Sequence, residues 1–503
     1  MNSLSWQDPS LWALTHFGQA DLGDARRQAR AVELGTALAA TPAGSLPQQC
    51  EDMAALKAAY RFLHSPKISF SALCAWHWKN TMQVAQSLSG TPEESSPQPN
   101  SGIPQNAILF IQDATVLDYS AHKACQGLGP VGDGRGQGLM LHSCLAIVPP
   151  GSSPGPGSSP GENVSSNGYV LGMAHQSVWA RPDATSPKPL KKRRERTEQD
   201  VWAETLTALG QVPPGALYVS VADRGSDVLS YWQHARSLGW HSLSRLYHKR
   251  VCYDTAGQKQ NLISWGACLE RQSKRTIIAS LKPKGPRVPV EISLGWSALS
   301  IVSSRTPSGV NRRLAQKIEA ANLVEDQEEK LSGYLVHCSD DSGQVQWYLF
   351  TTVPIGSVED AWQIVDWYCR RWVIEEYHKC LKTGCGIEKC QVRDAEGLRV
   401  LLGFLSLLAV RLLMLRDLSR SCPQMLAYEV VPAELIETLC FRYRLDAPRL
   451  ALSEFWRRVA MLGGFLGRKS DGSPGWQTLW RGWLKLLDLA EGVAIGKQLQ
   501  KCG

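Results

Sequence analysis

Hydrophobic and polar positions change period several times along this chain, and each change predicts a different kind of element. Over residues 11–80 apolar residues recur at helical spacing. DLGDARRQARAVELGTALAA and EDMAALKAAYRFLHS both read as helices, with a break at PAGSLPQQ. A Pro/Ser/Gly-rich linker follows at 90–105. The pattern then turns strand-like. AILFIQD predicts an apolar strand of about six residues ending at Asp113, and LMLHSCLAIV (139–148) and GYVLGMAHQSVWA (168–180) predict two more. The low-complexity PPGSSPGPGSSPGENVSSNG between those two is expected to be an overgrown hairpin loop inside one sheet. Next, TEQDVWAETLTALG, with Thr197 as N-cap, and SYWQHARSLGW read as helices alternating with ALYVSVADRGSD, a strand closing on Asp223, and HSLSRLYHK. The order β-β-β-α-β-α-β predicts a mixed α/β sheet with two aspartates at strand ends.

From about 250 to 355 the runs are short, β-rich and punctuated by turns, ending in VQWYLFTTVPI, which predicts a separate β insertion. Helical spacing returns in SVEDAWQIVDWYCRRWVIEEYHKCLKTG and in a strongly apolar helix over 395–420. The run VLLGFLSLLAV, broken by Arg411, is too short to span a bilayer and reads as a buried helix. Residues 425–503 read as a helical tail containing GWQTLWRGWLKLLDLAEG. The expected division is therefore 1–104 (helical module and linker), 105–248 (first part of the core), 249–355 (β insertion), 356–420 (rest of the core) and 421–503 (C-terminal helices).

Composition narrows this picture only a little. In 503 residues, 43% apolar and 20% charged positions suit a folded soluble protein. The balance of 54 basic to 46 acidic residues, +8, permits a polyanionic partner without demanding one. The N-terminal stretch has no signal-peptide pattern. The 14 cysteines are scattered without a CxxC pair, which argues against a zinc ribbon or a disulfide scaffold and for a reducing, cytoplasmic setting. Two basic clusters stand out. Arg26, Arg27 and Arg30 fit either a helical module that docks on nucleic acid or a plain helical cap. KPLKKRRER (188–196) fits either a solvated loop or a strip of phosphate contacts.

The stretch YCRRWVIEEYHKCLKTGCGIEKC (368–390) carries most of the candidate chemistry. On one continuous helix, turning roughly 100° per residue, Tyr368, Arg371, Glu375, His378 and Lys382 share a wedge of about 80°. Glu376 lies roughly 100° away, and Cys369 and Cys380 share another face. Cys385 and Cys390 follow the helix stop at Thr383-Gly384, so the cysteines do not converge on His378. Arginine and lysine on the wedge suit phosphate oxygens, and one carboxylate among them suits a divalent metal. An ordinary salt-bridged helix fits the same geometry. Asp113 and Asp223 tip the balance: with Glu375 they make three hard oxygen donors able to meet at one sheet edge and hold magnesium, as in two-metal phosphodiester chemistry.

These residues resemble the DDE transposases of bacterial insertion sequences, specifically the insertion-sequence-four type with a Tyr-Arg-Glu-Lys signature. That signature reads Tyr, two residues, Arg, three residues, Glu, six residues, Lys, and is met by Tyr368, Arg371, Glu375 and Lys382. IQDATVLDY and VADRGSD resemble its two aspartate motifs, and LGDARRQAR, AAYRFL and PGWQTLWRGW are similar to its flanking regions. The resemblance implies a ribonuclease-H-like core interrupted by a β insertion and flanked by helical regions, the N-terminal one binding transposon ends and the C-terminal one dimerising. It implies a catalytic and metal-binding triad of Asp113, Asp223 and Glu375 with two magnesium ions, manganese serving as a substitute. It implies double-stranded DNA as partner and no membrane, with phosphate contacts from Tyr368, Arg371, Lys379 and Lys382 and a further contact from Arg245. Trp347 would stack on a flipped base, or else fill a core. Cut-and-paste transposition through a hairpin intermediate is the implied reaction. The alternatives are a domesticated DNA-binding protein and a structure-specific nuclease of similar core. The single Thr of QDAT and the Pro/Gly/Ser insertion at 149–168 depart from the family pattern without removing a triad member.

Overall fold

Three aspartates start the first long helices. Asp8, Asp24 and Asp52 each accept backbone N–H groups that the following helix leaves orphaned, a contribution of about 0.5–2 kcal/mol per cap. The computed structural model describes residues 8–89 (apart from 43 and 51), 103–149 (apart from 105), 168–182, 198–280, 287–302, 330–468 and 471–502. The linker at 90–102, the Gly/Ser/Pro segment, KPLKKRRER and Thr197 lie outside these. The chain forms two compact units, one of residues 1–89, 108–195 and 372–503 and the other of 90–107 and 196–371.

The first unit opens with α1 (Pro9–Phe17), α2 (Ala25–Ala40), α3 (Leu46–Gln49), α4 (Met53–Leu63) and α5 (Phe70–Ser89). The expected break at PAGSLPQQ holds a one-turn helix, α3, because Ser45 and Gln48 close a capping box and the proline falls where its missing N–H costs nothing. Strands β1 (Ile108–Asp118), β2 (Gly129–Val131), β3 (Gly136–Val148) and β4 (Tyr169–Trp179) are all antiparallel, with β3 paired to each of the others. The β3–β4 pairing agrees with the hairpin reading of the segment between them. β1 runs 11 residues rather than six, so Asp113 sits mid-strand opposite Ser143 rather than at a strand end. The apolar run stops at Asp113, but the ladder does not. Thr115 and Val116 keep pairing with Leu141 and Met140, although Val116 is only partly buried.

A long helix, Ala395–Ser421, is the spine of this unit and packs against α2, α4, α5 and β4. At 27 residues it is long and apolar enough to cross a membrane, which corrects the expectation that it is too short. Its most apolar window is nevertheless 89% buried within the unit, as a core helix requires. Three further helices, Ala433–Tyr443, Leu452–Leu462 and Trp476–Cys502, complete the unit. The last two cross with backbones touching. A Cβ on Gly463 would meet Thr478 O at 1.9 Å, and one on Gly482 would meet Val459 O at 1.7 Å. That approach lets Trp456 stack on Trp483 with centroids 5.4 Å apart.

The second unit is a mixed sheet. Its strands are β5 (Tyr218–Ala222), β6 (His241–Arg245), β7 (Val251–Tyr253), β8 (Lys259–Asn261), β9 (Ser273–Ser280), β10 (Arg287–Val302), β11 (Lys330–Ser339) and β12 (Gln346–Thr351). The order is β5-β6-β12-β11-β10-β7-β8, with β9 also on β10. Among the described strands of this unit only β5–β6 is parallel, joined through α7 (Leu229–Ser237), while α6 (Val201–Leu209) precedes β5. The predicted order is thus found as β1, β3, β4, α6, β5, α7, β6 with the short β2 added. The fold is the mixed α/β, ribonuclease-H-like class that the resemblance implies, with a β-rich insertion before the glutamate helix. That helix is not continuous. Val358–Arg370 ends where the Arg371 N–H turns back to Tyr368 O, a new helix runs Trp372–Lys379, and Cys380–Gly384 is a π-turn.

Two buried histidines tie the first unit's layers together. His77 Nε2 accepts the Met173 N–H at 3.1 Å, so a neutral His77 holds its proton on Nδ1 and offers it to His16 Nδ1 at 3.1 Å. Burial pushes His77 and His175 down to about 4. The unfolded chain binds these protons near pH 6.5, so stability from both groups is full above that pH and is lost as pH falls toward 4. The loss is expected to be about 3 kcal/mol per histidine. Urea unfolding between pH 7 and 4.5 checks this: His77→Gln, which keeps the acceptor, should flatten the decline, and an unchanged pH dependence would contradict it.

Candidate active site

In the first unit, Asp113 and Glu375 are set by a strand and a helix that pack directly on one another, β1 and Trp372–Lys379. Asp113 Oδ1 accepts the Ala114 N–H at 2.8 Å, which fixes the carboxylate's rotamer at the strand surface. Its Oδ2 lies 4.0 Å from Nδ1 of His378, a buried residue one turn beyond Glu375. Lys382 falls on the π-turn rather than on a continued α-helix. Its Nζ reaches Glu388 Oε1 at 3.5 Å and draws the Asp118 carboxyl, already lowered by hydrogen bonds from Ser120, further down. Glu388 in turn accepts the Asp118 N–H at 3.0 Å. Lys379 sits over the half-exposed Trp372 ring, 5.9 Å from its centroid. Arg26 and Arg30 are exposed or partly so, paired with Asp24 and Glu33, and Arg27 donates to Leu22 O at 2.7 Å.

In the second unit, Asp223 follows β5 and caps a short 3-10 turn, accepting the Gly225 N–H at 2.8 Å. The turn is pinned to β6 because Ser226 Oγ donates to Ser244 Oγ at 2.8 Å, and Trp232 Nε1 donates to the same oxygen at 3.0 Å. Around it stand the other predicted groups. Tyr368 is only 6% exposed rather than presented on an open wedge. Burial raises its phenol, while Arg371 and Arg245 pull it back. Arg371 lies 5.8 Å over the Tyr368 ring, and Trp347 meets that ring edge-on at 5.8 Å. Trp347 is half-buried at the end of β12, not in a core. Arg245 donates to Gln346 O at 3.1 Å, and partial burial together with Arg224 and Arg371 lowers its guanidinium.

Asp113, Asp223 and Glu375 supply hard carboxylate oxygens, the donor type of magnesium and manganese rather than of zinc. Among the described residues no three His, Cys, Asp or Glu side chains form a ready-made metal cage. The structure places Asp113, Glu375 and Lys382 in one unit and Asp223, Arg245, Trp347, Tyr368 and Arg371 in the other.

Sequence reasoning missed the groups that hold Glu375 in place. Glu376, roughly 100° around its helix from Glu375, accepts Arg416 Nη2 at 2.6 Å, and that same nitrogen donates to Asp417 at 2.9 Å. Tyr377 is wholly buried; Gln176 Nε2 donates to its hydroxyl at 2.9 Å and to Ser143 at 3.0 Å, while Ser406 donates to Gln176 Oε1 at 3.0 Å. One signal was available: a charge a hundred degrees from the polar wedge demands a buried partner, and RLLMLRDL in the apolar helix offers one. Arg416→Ala should therefore cost about 3–5 kcal/mol, because it takes a shared guanidinium away from Glu376 and the buried Asp417. Chemical denaturation measures this, and a loss under 1 kcal/mol would show that the pair is not what anchors the helix.

Comparison with known proteins follows the same plan. Residues 9–68 match the family model described as transposase DNA-binding, 193–412 the transposase DDE domain, and 407–503 the transposase Tn5 dimerisation domain. A solved structure, described as a cryo-EM structure of a piggyBac transposase synaptic complex with hairpin DNA, is 7% identical over 76% of this chain and 57% of that one, with a TM-score of 0.29. The chain thus spans little more than half the length of that protein. With a DNA-binding, a DDE and a dimerisation model matched in that order along it, the chain belongs to the DDE transposases.

Proposed function

We propose that this transposase performs cut-and-paste transposition of an insertion sequence, with Asp113, Asp223 and Glu375 as its metal-binding carboxylates. What supports this most is the packing of the helix Trp372–Lys379 on β1: His378, one turn beyond Glu375, brings Nδ1 to 4.0 Å from Asp113 Oδ2, while Glu376 is tied to Arg416 and Tyr377 to Gln176. Two magnesium ions, when bound by the carboxylates, would activate a nucleophilic oxygen and stabilise the leaving 3′ oxygen.

The rest falls to the chain's own side chains. Lys379 and Lys382 would hold backbone phosphates near the transposon end as point charges, and Arg371 and Arg245 as planar forks. Tyr368, whose burial keeps the phenol protonated, would donate a hydrogen bond to a phosphate oxygen. Trp347 would stack on a base turned out of the duplex. In this reading water cleaves one strand, the freed 3′-OH attacks the opposite strand to close a hairpin, a second water reopens it, and the 3′-OH then attacks target DNA. Arg26, Arg27 and Arg30 would bind the terminal inverted repeats, and the C-terminal helices would pair two copies in the synaptic complex.

Glu375→Gln is expected to abolish cleavage and strand transfer in both magnesium and manganese while leaving end binding intact by mobility shift. Cleavage at the wild-type rate would remove Glu375 from the triad. The substrate is the DNA flanking the gene, which should carry short inverted repeats bounded by target duplications. Lys382→Ala should lower the slope of log affinity against log salt by about one, read by fluorescence anisotropy on the same ends. An unchanged slope would leave Lys382 without a phosphate.

A further inference from the structure

Between β6 and β7 the chain reads Arg245-Leu-Tyr-His-Lys-Arg250, and its most exposed large apolar ring is Tyr247, 66% accessible. A mobile surface tyrosine would need no explanation, but this one stands on a fixed loop. The carboxylate of Asp227, fully buried, accepts the Tyr247 N–H at 2.8 Å, the His248 N–H at 2.7 Å and the Arg250 Nε–H at 2.8 Å. Arg250 also donates to the Asp227 carbonyl and lies 5.3 Å over the Trp232 ring. The backbone on either side of Tyr247 therefore has little freedom, and the ring is held out on purpose-built hydrogen bonds. On its own side Arg224, the residue after Asp223, places its guanidinium 5.7 Å over the Tyr247 ring, and His248 meets the ring edge-on at 5.5 Å.

Register gives the ring a partner. β6 pairs antiparallel with β12 with Arg245 opposite Leu349, and the Leu246 N–H continues the ladder to Tyr348 O at 2.8 Å. The strand ends at Arg245 and the Tyr247 N–H turns to Asp227; carried on past that end, the same register would set Tyr247 opposite Trp347. Directly opposed residues of an antiparallel pair project to the same face, as do residues two apart on one strand. On that register Arg245, Tyr247 and Trp347 would share one face at the end of the ladder, all within the unit that carries Asp223.

We propose that Tyr247 is a second stacking surface for the DNA base that Trp347 receives, a clamp of two aromatic rings across the β6–β12 ladder, with Arg224 and Lys249 at its rim to meet the adjoining phosphates. The ligand is an unstacked base in a strand whose backbone runs over the basic face. Stacking tolerates any base, so the clamp adds grip and rate rather than sequence preference. The inference rests on the proposed base extrusion at Trp347.

The test uses the full-length protein and hairpin-ended duplexes of the gene's flanking DNA, with 2-aminopurine at each of the terminal positions in turn. On binding, one position should brighten as it unstacks from the duplex and then be quenched by the protein's rings. Tyr247→Ala should lose most of that quenching and bind the hairpin end between about 5- and 100-fold more weakly. Tyr247→Phe should retain both, because the ring and not the hydroxyl is required. Thermal melting of Tyr247→Ala should match wild type, since the side chain is exposed. If Tyr247→Ala quenches like wild type while Trp347→Ala does not, the clamp is refuted and base extrusion stands. If no position responds in the wild-type protein, extrusion itself fails and the clamp with it.

Discussion

The ion pair between the buried Arg416 and Glu376 is the constraint that holds the helix carrying Glu375. A guanidinium 2% exposed has lost nearly all its water, and such a charge is tolerable only where its partners stand in place. Glu376 and Asp417 meet that demand and hold Arg416 more firmly protonated than usual despite the burial. The same demand works in reverse on the helix Trp372–Lys379. It cannot roll without tearing Glu376 from Arg416 and the Tyr377 hydroxyl from Gln176. The helix that carries Glu375 is therefore held by its sequence neighbours. A carboxylate proposed to bind a metal is best supported in this way, by groups elsewhere on the same element.

The second unit solves the same problem with hydroxyls and a carboxylate. The turn after Asp223 is tied to β6 by Ser226 and Ser244, and the following loop is tied to Asp227. Asp227 lies four residues after Asp223 in VADRGSD, so one short motif carries both the carboxylate proposed for the chemistry and the group that fixes the loop beside it. In both units the fixing groups are buried and polar. Buried polar groups of this kind are directional and fail together when one partner is lost, which sets side chains to within the fraction of an ångström that phosphoryl chemistry needs.

The family was legible in the sequence because its signature sets particular residue types at fixed spacings, here Tyr368, Arg371, Glu375 and Lys382 in one stretch. The strand and helix order was legible from periodicity. What escaped depends on pairing between distant segments. The six-residue strand became eleven because β3 supplies a partner ladder beyond the last apolar residue, so Asp113 stands mid-strand. The single glutamate helix became two helices and a π-turn, which shifts Lys382 toward Glu388. Tyr368 was placed on an open polar wedge, yet Trp347 and two arginines cover it. No local period contains those partners.

Net charge, too, was uninformative for a reason the structure makes plain. A surplus of +8 over 503 residues is slight, and some basic groups on the helical regions sit beside carboxylates, as Arg26 does with Asp24 and Arg30 with Glu33. The cations that matter are gathered instead. Arg224, Arg245 and Arg371 lie close enough for Arg224 and Arg371 each to lower the Arg245 guanidinium. Like charges crowded on a partly desolvated face repel one another in the free protein, and that repulsion is relieved when a polyanion binds. A phosphate backbone laid over this face, as proposed, would gain from all three at once, and its affinity would then follow the local cluster and fall steeply with salt even though the whole chain is nearly balanced.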